Sequence, residues 1–205
     1  MALALALLCW GCVEQDPGLL VEVSLQLEAL PDTPVQTRSG PLMLVDARLA
    51  VDRVELEACP EAMARGPWRW LIGAAHAHGD AEHSDAPLTV TLDTGLAPGE
   101  TLRGEVPVPL DHPLCAVILH FEPGESGELA IRADGAAHRW QWPMAPLRWA
   151  VEPLEPTARQ RRLRVRVSGA PSGWLAPFQA SSDVEGSLGE RLAAGVAGSL
   201  AVSVD

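Results

Sequence analysis

A chain of 205 residues holds one sizeable domain or two small ones. Its 47% hydrophobic and 20% charged residues rule out wholesale disorder, and a formal net charge of −12 excludes nucleic acid as a partner, because phosphate binding needs a basic footprint. All 15 basic residues are arginine, and Lys, Asn and Tyr are absent, which is the codon signature of a GC-rich bacterial genome.

Residues 2–11 read Ala-Leu-Ala-Leu-Ala-Leu-Leu-Cys-Trp-Gly and are followed by Cys12 and the polar run Val13-Glu14-Gln15-Asp16-Pro17. The apolar run is too short to span a bilayer, which takes about 20 residues, and it has the form of a secretory h-region. With Gly11 before Cys12 the segment resembles a bacterial lipoprotein signal peptide, although Cys9 and Trp10 replace that family's usual Leu and small residue. The resemblance implies cleavage after residue 11, a lipid on Cys12, and a periplasmic or outer-membrane-associated protein held to the membrane by that lipid. The expected organisation is then a signal peptide over 1–11, a tether over 12–17 and a folded domain over 18–205.

From residue 19 the dominant period is two, the pattern of half-buried strands. Leu19, Val21, Val23, Leu25 and Leu27 form an apolar face, and a Pro/Thr/Ser-rich loop from Pro31 to Pro41 follows. Alternation resumes at Ala47, Leu49 and Val51, then continues as Val54, Leu56 and Ala58, one residue out of phase. A strand cannot change its buried face without an irregularity, so a β-bulge or break is expected at Asp52-Arg53. In an exported protein, Cys59 and Cys115 are the pair left once Cys9 is removed and Cys12 is lipidated. One disulfide closing more than 50 residues is the simplest arrangement, worth on the order of 4 kcal/mol. Two separate buried thiols are the other arrangement.

Trp68 and Trp70 share a face of the next expected strand. Then His76-Ala-His78-Gly-Asp80-Ala-Glu82-His83 gathers three of the six histidines with two carboxylates. His76 and His78, two apart, point to one side of an extended backbone, and Gly79 lets His83 turn back towards them. Imidazoles suit copper or zinc, so His76, His78 and His83 are the candidate ligands, with Asp80 as helper. The spacing matches no strict metal motif, and a solvated loop is the competing reading.

Leu88, Val90 and Leu92 mark a further strand, Ala97-Pro98-Gly99 a turn, and Leu102 to Leu110 a proline-interrupted edge strand. Leu114 to Phe121 is apolar on both faces, as a central strand is. Cys115 and His120 bracket that unbroken strand and no Met follows shortly, unlike the loop-borne ligands of blue-copper sandwiches, so His120 reads as a packed strand residue. Leu129, Ile131 and Ala133 make another strand. His138, Trp140 and Trp142 project together from the next, and paired indoles form a flat platform for a glycan or protein unless they serve as core.

Pro143 to Pro156 is proline-rich and marks a boundary for a smaller C-terminal unit after about residue 157, although one continuous domain is the favoured reading. Arg162, Arg164 and Arg166 alternate with Leu163, Val165 and Val167, the solvated face of a strand whose arginines pair with neighbouring carboxylates. One short helix is expected near 188–196, capped by Ser187 with Glu190 three residues on, and Leu200, Val202 and Val204 close the chain.

About ten short strands with at most one short helix define an all-β, antiparallel β-sandwich. The layout resembles the immunoglobulin-like and transthyretin-like sandwiches of exported bacterial lipoproteins. The chain carries no nucleophile elbow, phosphate loop or zinc-protease helix, so a non-enzymatic binding role is expected. Its partners would be the membrane through the lipid and copper or zinc through the His-rich segment, or else a protein or glycan through Trp68, Trp70, Trp140 and Trp142.

Overall fold

A computed structural model describes residues 19–59, 88–108, 113–133, 135–154, 162–179 and 186–205. Strand β1 spans Leu19–Leu27, β2 Val35–Thr37, β3 Gly40–Ala58, β4 Leu88–Leu96, β5 Thr101–Val108 and β6 Leu114–Phe121. Strand β7 spans Gly127–Ala133, β8 Ala136–Trp142, β9 Leu147–Leu154, β10 Arg162–Gly169 and β11 Leu200–Val204. A 3-10 helix covers Pro171–Phe178, and helix α1 covers Leu188–Ser199.

The strands form a four-stranded sheet in the order β11-β10-β1-β5 and a seven-stranded sheet built on β3. Their inner faces make one core. Val21, Val23, Leu25 and Leu27 of β1 and Leu163, Val165 and Val167 of β10 are buried on one side, with Leu49, Val54, Leu56, Val90, Val117 and Leu119 on the other. The alternation in the sequence is therefore the in-and-out pleat of a two-layer sandwich.

Among the described residues every pairing is antiparallel except one: β1 runs parallel to β10, with Val21 beside Leu163 and Leu25 beside Val167. The expected all-β sandwich is present, with this one parallel junction inside it. Between β1 and β10 the chain builds all seven strands of the other sheet and β5 of the first, and β10 then enters the first sheet in β1's own direction. Beyond the proline-rich stretch, β10 thus completes the four-stranded sheet at the centre, beside β1. Across this junction Glu22 takes the guanidinium of Arg164, while Arg162 and Arg166 face solvent, as the alternation required.

Strand β3 organises the larger sheet. Leu49 is bridged by Leu96 on one side and Gly127 on the other, and Val51 by Thr94 and Phe121. Strands β6 and β7 therefore follow one another along one edge of β3, with β4 on the opposite edge. The register slips between Val51 and Arg53 on both sides, so the expected β-bulge is present and moves the buried positions from Val51 to Val54. The Pro31–Pro41 loop contains one short strand, β2, which turns back on β3 through Thr37 and Gly40 (φ 114°).

The first half of β3, with β7 and β8, extends past the four-stranded sheet, and there two helices replace sheet as the covering layer. Helix α1 carries the expected cap: the Ser187 hydroxyl accepts from the Glu190 N–H, and the Glu190 carboxylate accepts from the Ser187 N–H at 2.7 Å. That contact holds the Glu190 carboxyl below its ordinary range, the backbone N–H of Ser187 being the main cause. The 3-10 helix is an element the alternation did not announce. Its Phe178 carbonyl accepts from the Arg38 N–H, tying the helix to the β2–β3 hairpin.

Candidate functional site

Cysteines Cys59 and Cys115 form a disulfide, with Cα atoms 4.9 Å apart across 56 residues of sequence. The bond sits where β3 ends and β6 begins. Ala58 pairs with Leu114 and Glu57 with Ala116, which leaves Cys115 as the extra residue of a bulge on β6. The Cys59 N–H also donates to the Pro113 carbonyl at 2.8 Å. Residues 60–87 leave β3 directly after Cys59 and re-enter at Leu88, whose neighbour on β3 is Leu56. Both roots of that segment thus lie on adjacent strands at one end of the sandwich, and one root is held by the disulfide. The candidate ligands His76, His78, His83 and Asp80, together with Trp68 and Trp70, lie outside the described residues, as do His112 and Cys12. Among the described residues no group of three or more His, Cys, Asp or Glu side chains is placed to hold a metal ion.

The Trp face of β8 divides into two environments. His138 is exposed and stacks on Trp140, with ring centroids 6.1 Å apart and planes 12° from parallel. Trp140 is half-buried. Trp142 is 2% exposed, meets Trp174 of the 3-10 helix edge-on at 6.2 Å, and donates its indole N–H to the Met144 sulfur. Its ring lies over Gly127 on β7, where a Cβ would come within 2.4 Å. Of the two indoles expected to project together from β8, Trp142 is core and Trp140 stands at the rim. Leaving an indole of about 200 Å² exposed would forfeit about 5 kcal/mol, and the glycine-lined slot under the helices accepts one of the two.

On the outer face of the larger sheet, β3 and β6 bring together a group that sequence spacing did not reveal. His120 is hydrogen-bonded through Nε2 to Glu55 at 2.8 Å, and its Nδ1 lies 3.5 Å from the guanidinium of Arg53, which also pairs with Asp52. An arginine only donates, so Nδ1 accepts and Nε2–H donates to Glu55. Both ring nitrogens are engaged, and His120 acts as a strand-pairing residue. Next along this face Arg148 grips Glu57 through two contacts of 2.9 and 3.2 Å. The bonds from Arg148 hold the Glu57 carboxyl below its ordinary range. Arg53 and His120 are direct cross-strand neighbours. Only the bulge one residue earlier hinted at their alignment, and it did not name the partner strand.

No protein-family model, curated protein or solved structure matches the chain.

Proposed function

We propose that this chain is an exported, lipid-anchored envelope protein that binds copper or zinc through His76, His78 and His83, with Asp80 assisting, and that it sequesters or delivers the ion without catalysing a reaction. The observation that carries this reading is the Cys59–Cys115 disulfide. A disulfide at a sheet end belongs to an oxidising compartment, which supports export. It also clamps one root of the His-bearing segment, which lowers the ordering cost of a site built there. Neutral imidazoles supply the borderline-soft nitrogen donors that both metals take, and a carboxylate nearby fixes ring orientation.

Metal analysis of the purified protein tests it. Wild type binds one equivalent of Cu²⁺ or Zn²⁺, and the His76→Ala/His78→Ala variant loses at least tenfold in affinity. Equal, substoichiometric metal in both refutes the site. Cys12→Ser loses incorporation of labelled fatty acid, and undiminished labelling removes the anchor.

A second reading is an envelope interaction module that grips a protein or glycan through Trp-bearing strand faces. The exposed His138–Trp140 stack on β8 favours it. Trp140→Ala would then abolish partner capture and leave metal content unchanged.

A further inference from the structure

We propose that the open flank of the sandwich between edge strands β11 and β9 docks a second copy of this chain, with β11 of one copy pairing antiparallel to β11 of the other. Strand β11 ends the path of the four-stranded sheet, and among the described residues its far edge has no partner strand. Arg164 and Asp205 exchange both backbone bonds, at 2.8 and 3.0 Å. In an antiparallel ladder such pairs alternate. Ser203 and Ala201 therefore also bond to β10, while Val202 and Val204 point their N–H and C=O groups outward. The Leu200 N–H is already taken by the Val196 carbonyl at the end of α1. Antiparallel pairing about a two-fold axis near Val202 and Ser203 satisfies the outward groups of Val202 in both copies.

Edge strands ordinarily carry charges, prolines or bulges that keep other chains off. The other strands that end a sheet path do so. Strand β5 has Arg103, Glu105 and Pro107, β8 has Arg139, and β9 has Arg148 and Pro153 with a register shift against β6. Strand β11 reads Leu-Ala-Val-Ser-Val, with no charge and no proline, and its register against β10 runs without a shift. The sandwich is closed on its other flank by the β4–β5 turn, with Gly104 of β5 packed on Val90 of β4. Counted from that corner, β11 is the fourth strand of one sheet and β9 the fourth of the other, so their edges face each other. Between them Val202 and Val204 of β11 and Leu147, Trp149 and Val151 of β9 are half-buried at the rim of the core.

Size, charge and symmetry identify the occupant. Strand β11 has 5 residues and β9 has 8, and the sheets stand about 10 Å apart, so the flank measures roughly 20 by 25 Å, or about 500 Å² per copy. Two copies bury about 1,000 Å² in all, the lower bound for a specific interface, which suits a weak and reversible dimer. Charges at the rim nearly balance in a chain whose net charge is −12. Arg148 is held by Glu57 and Arg164 by Glu22, and exposed Arg166 stands against exposed Asp205 and Glu152. The outward residues Ala201 and Ser203 are small and uncharged, so the antiparallel pairing sets no carboxylate against a carboxylate. A surface that matches itself about a two-fold axis is what an isologous dimer requires.

Sedimentation equilibrium of the full, disulfide-bonded chain in density-matched detergent is the test. The expected result is a reversible dimer with Kd on the order of 10 µM. Ala201→Glu/Ser203→Glu sets carboxylates against each other across the joint and weakens the dimer by roughly tenfold. Both positions are exposed and Ser203 is the cross-strand neighbour of Arg166, so each copy keeps its urea midpoint. Val202→Pro removes an outward N–H and no bond to β10, and weakens the dimer by a similar factor. Wild type that stays monomeric at about 100 µM overturns the proposal, whether its flank is bare or covered by residues of its own chain. A dimer undiminished in both variants places the contact elsewhere and overturns it as well.

Discussion

Replacing Cys59 and Cys115 together by Ala removes the cross-link at the sheet end where β3 meets β6. The two cysteines are 56 residues apart in sequence, so in the unfolded chain the disulfide closes one loop that contains β4 of the larger sheet and β5 of the smaller one. For a loop of that size the chain-entropy relation gives about −14 cal/mol/K, or about 4 kcal/mol at 25 °C. Cys59 is itself buried, and trimming its sulfur adds less than about 1 kcal/mol. At about 2–4 °C per kcal/mol for a domain of this size, the melting temperature should fall by about 10 °C. Urea unfolding followed by Trp fluorescence is a demanding assay, because Trp142 and Trp174 are packed together under the helices and report on the half of the fold away from the disulfide. The midpoint should move to lower urea with a single transition, and the slope should rise because the unfolded chain expands. A change below about 1 kcal/mol, or two free thiols in unfolded wild type, would refute the reasoning.

Gly195 and Gly198 lie in the same helix and should respond oppositely to alanine. A Cβ at Gly195 would come 2.2 Å from the Trp174 carbonyl oxygen, a backbone atom that cannot swing away, so Gly195→Ala should cost about 3 kcal/mol in chemical denaturation. Gly198 is exposed with nothing within 4 Å, so Gly198→Ala should stabilise by about 0.5–1 kcal/mol. Glu190→Gln tests the helix cap through pH. The folded-state carboxyl is held below its ordinary value of 4.5, so its contribution is full above that pH and disappears as pH falls through the lower folded value. Thermal melts should show wild type more stable than the variant at pH 7, with the gap closing below 4.5; a constant gap down to pH 3 would contradict the cap's charge.

Features governed by neighbours within a few residues were legible. The phase of β1 and β10, the bulge between Val51 and Arg53 and the Ser187–Glu190 capping box all follow from side-chain alternation or from a hydrogen bond spanning three residues. The cysteine pair was legible for a different reason: on the reading that Cys9 is removed and Cys12 lipidated, two cysteines are left and one bridge is the simplest arrangement. The 3-10 helix was not. Pro171, Pro177 and Gly173 punctuate it, and its stability comes from Trp174 and Leu175 entering a core that the rest of the chain supplies.

Of the candidate site, residue type alone marks His76, His78, His83 and Asp80, because imidazole and carboxylate in one short run are a property of composition. The sequence by itself determined that this is an all-β sandwich whose apolar positions alternate, with one bulge, one capped helix and one cysteine pair. Only the tertiary structure decided that β1 pairs in parallel with a strand more than 140 residues later, and that β6 and β7 share an edge of β3. It likewise decided that Trp142 is core while Trp140 stays at the rim, and that His120 spends both ring nitrogens on Glu55 and Arg53. The physical reason is common to all of these. Strands with the same alternation offer nearly equal local pairings, and the partner is chosen by the summed burial of the whole core, to which no short window of sequence has access.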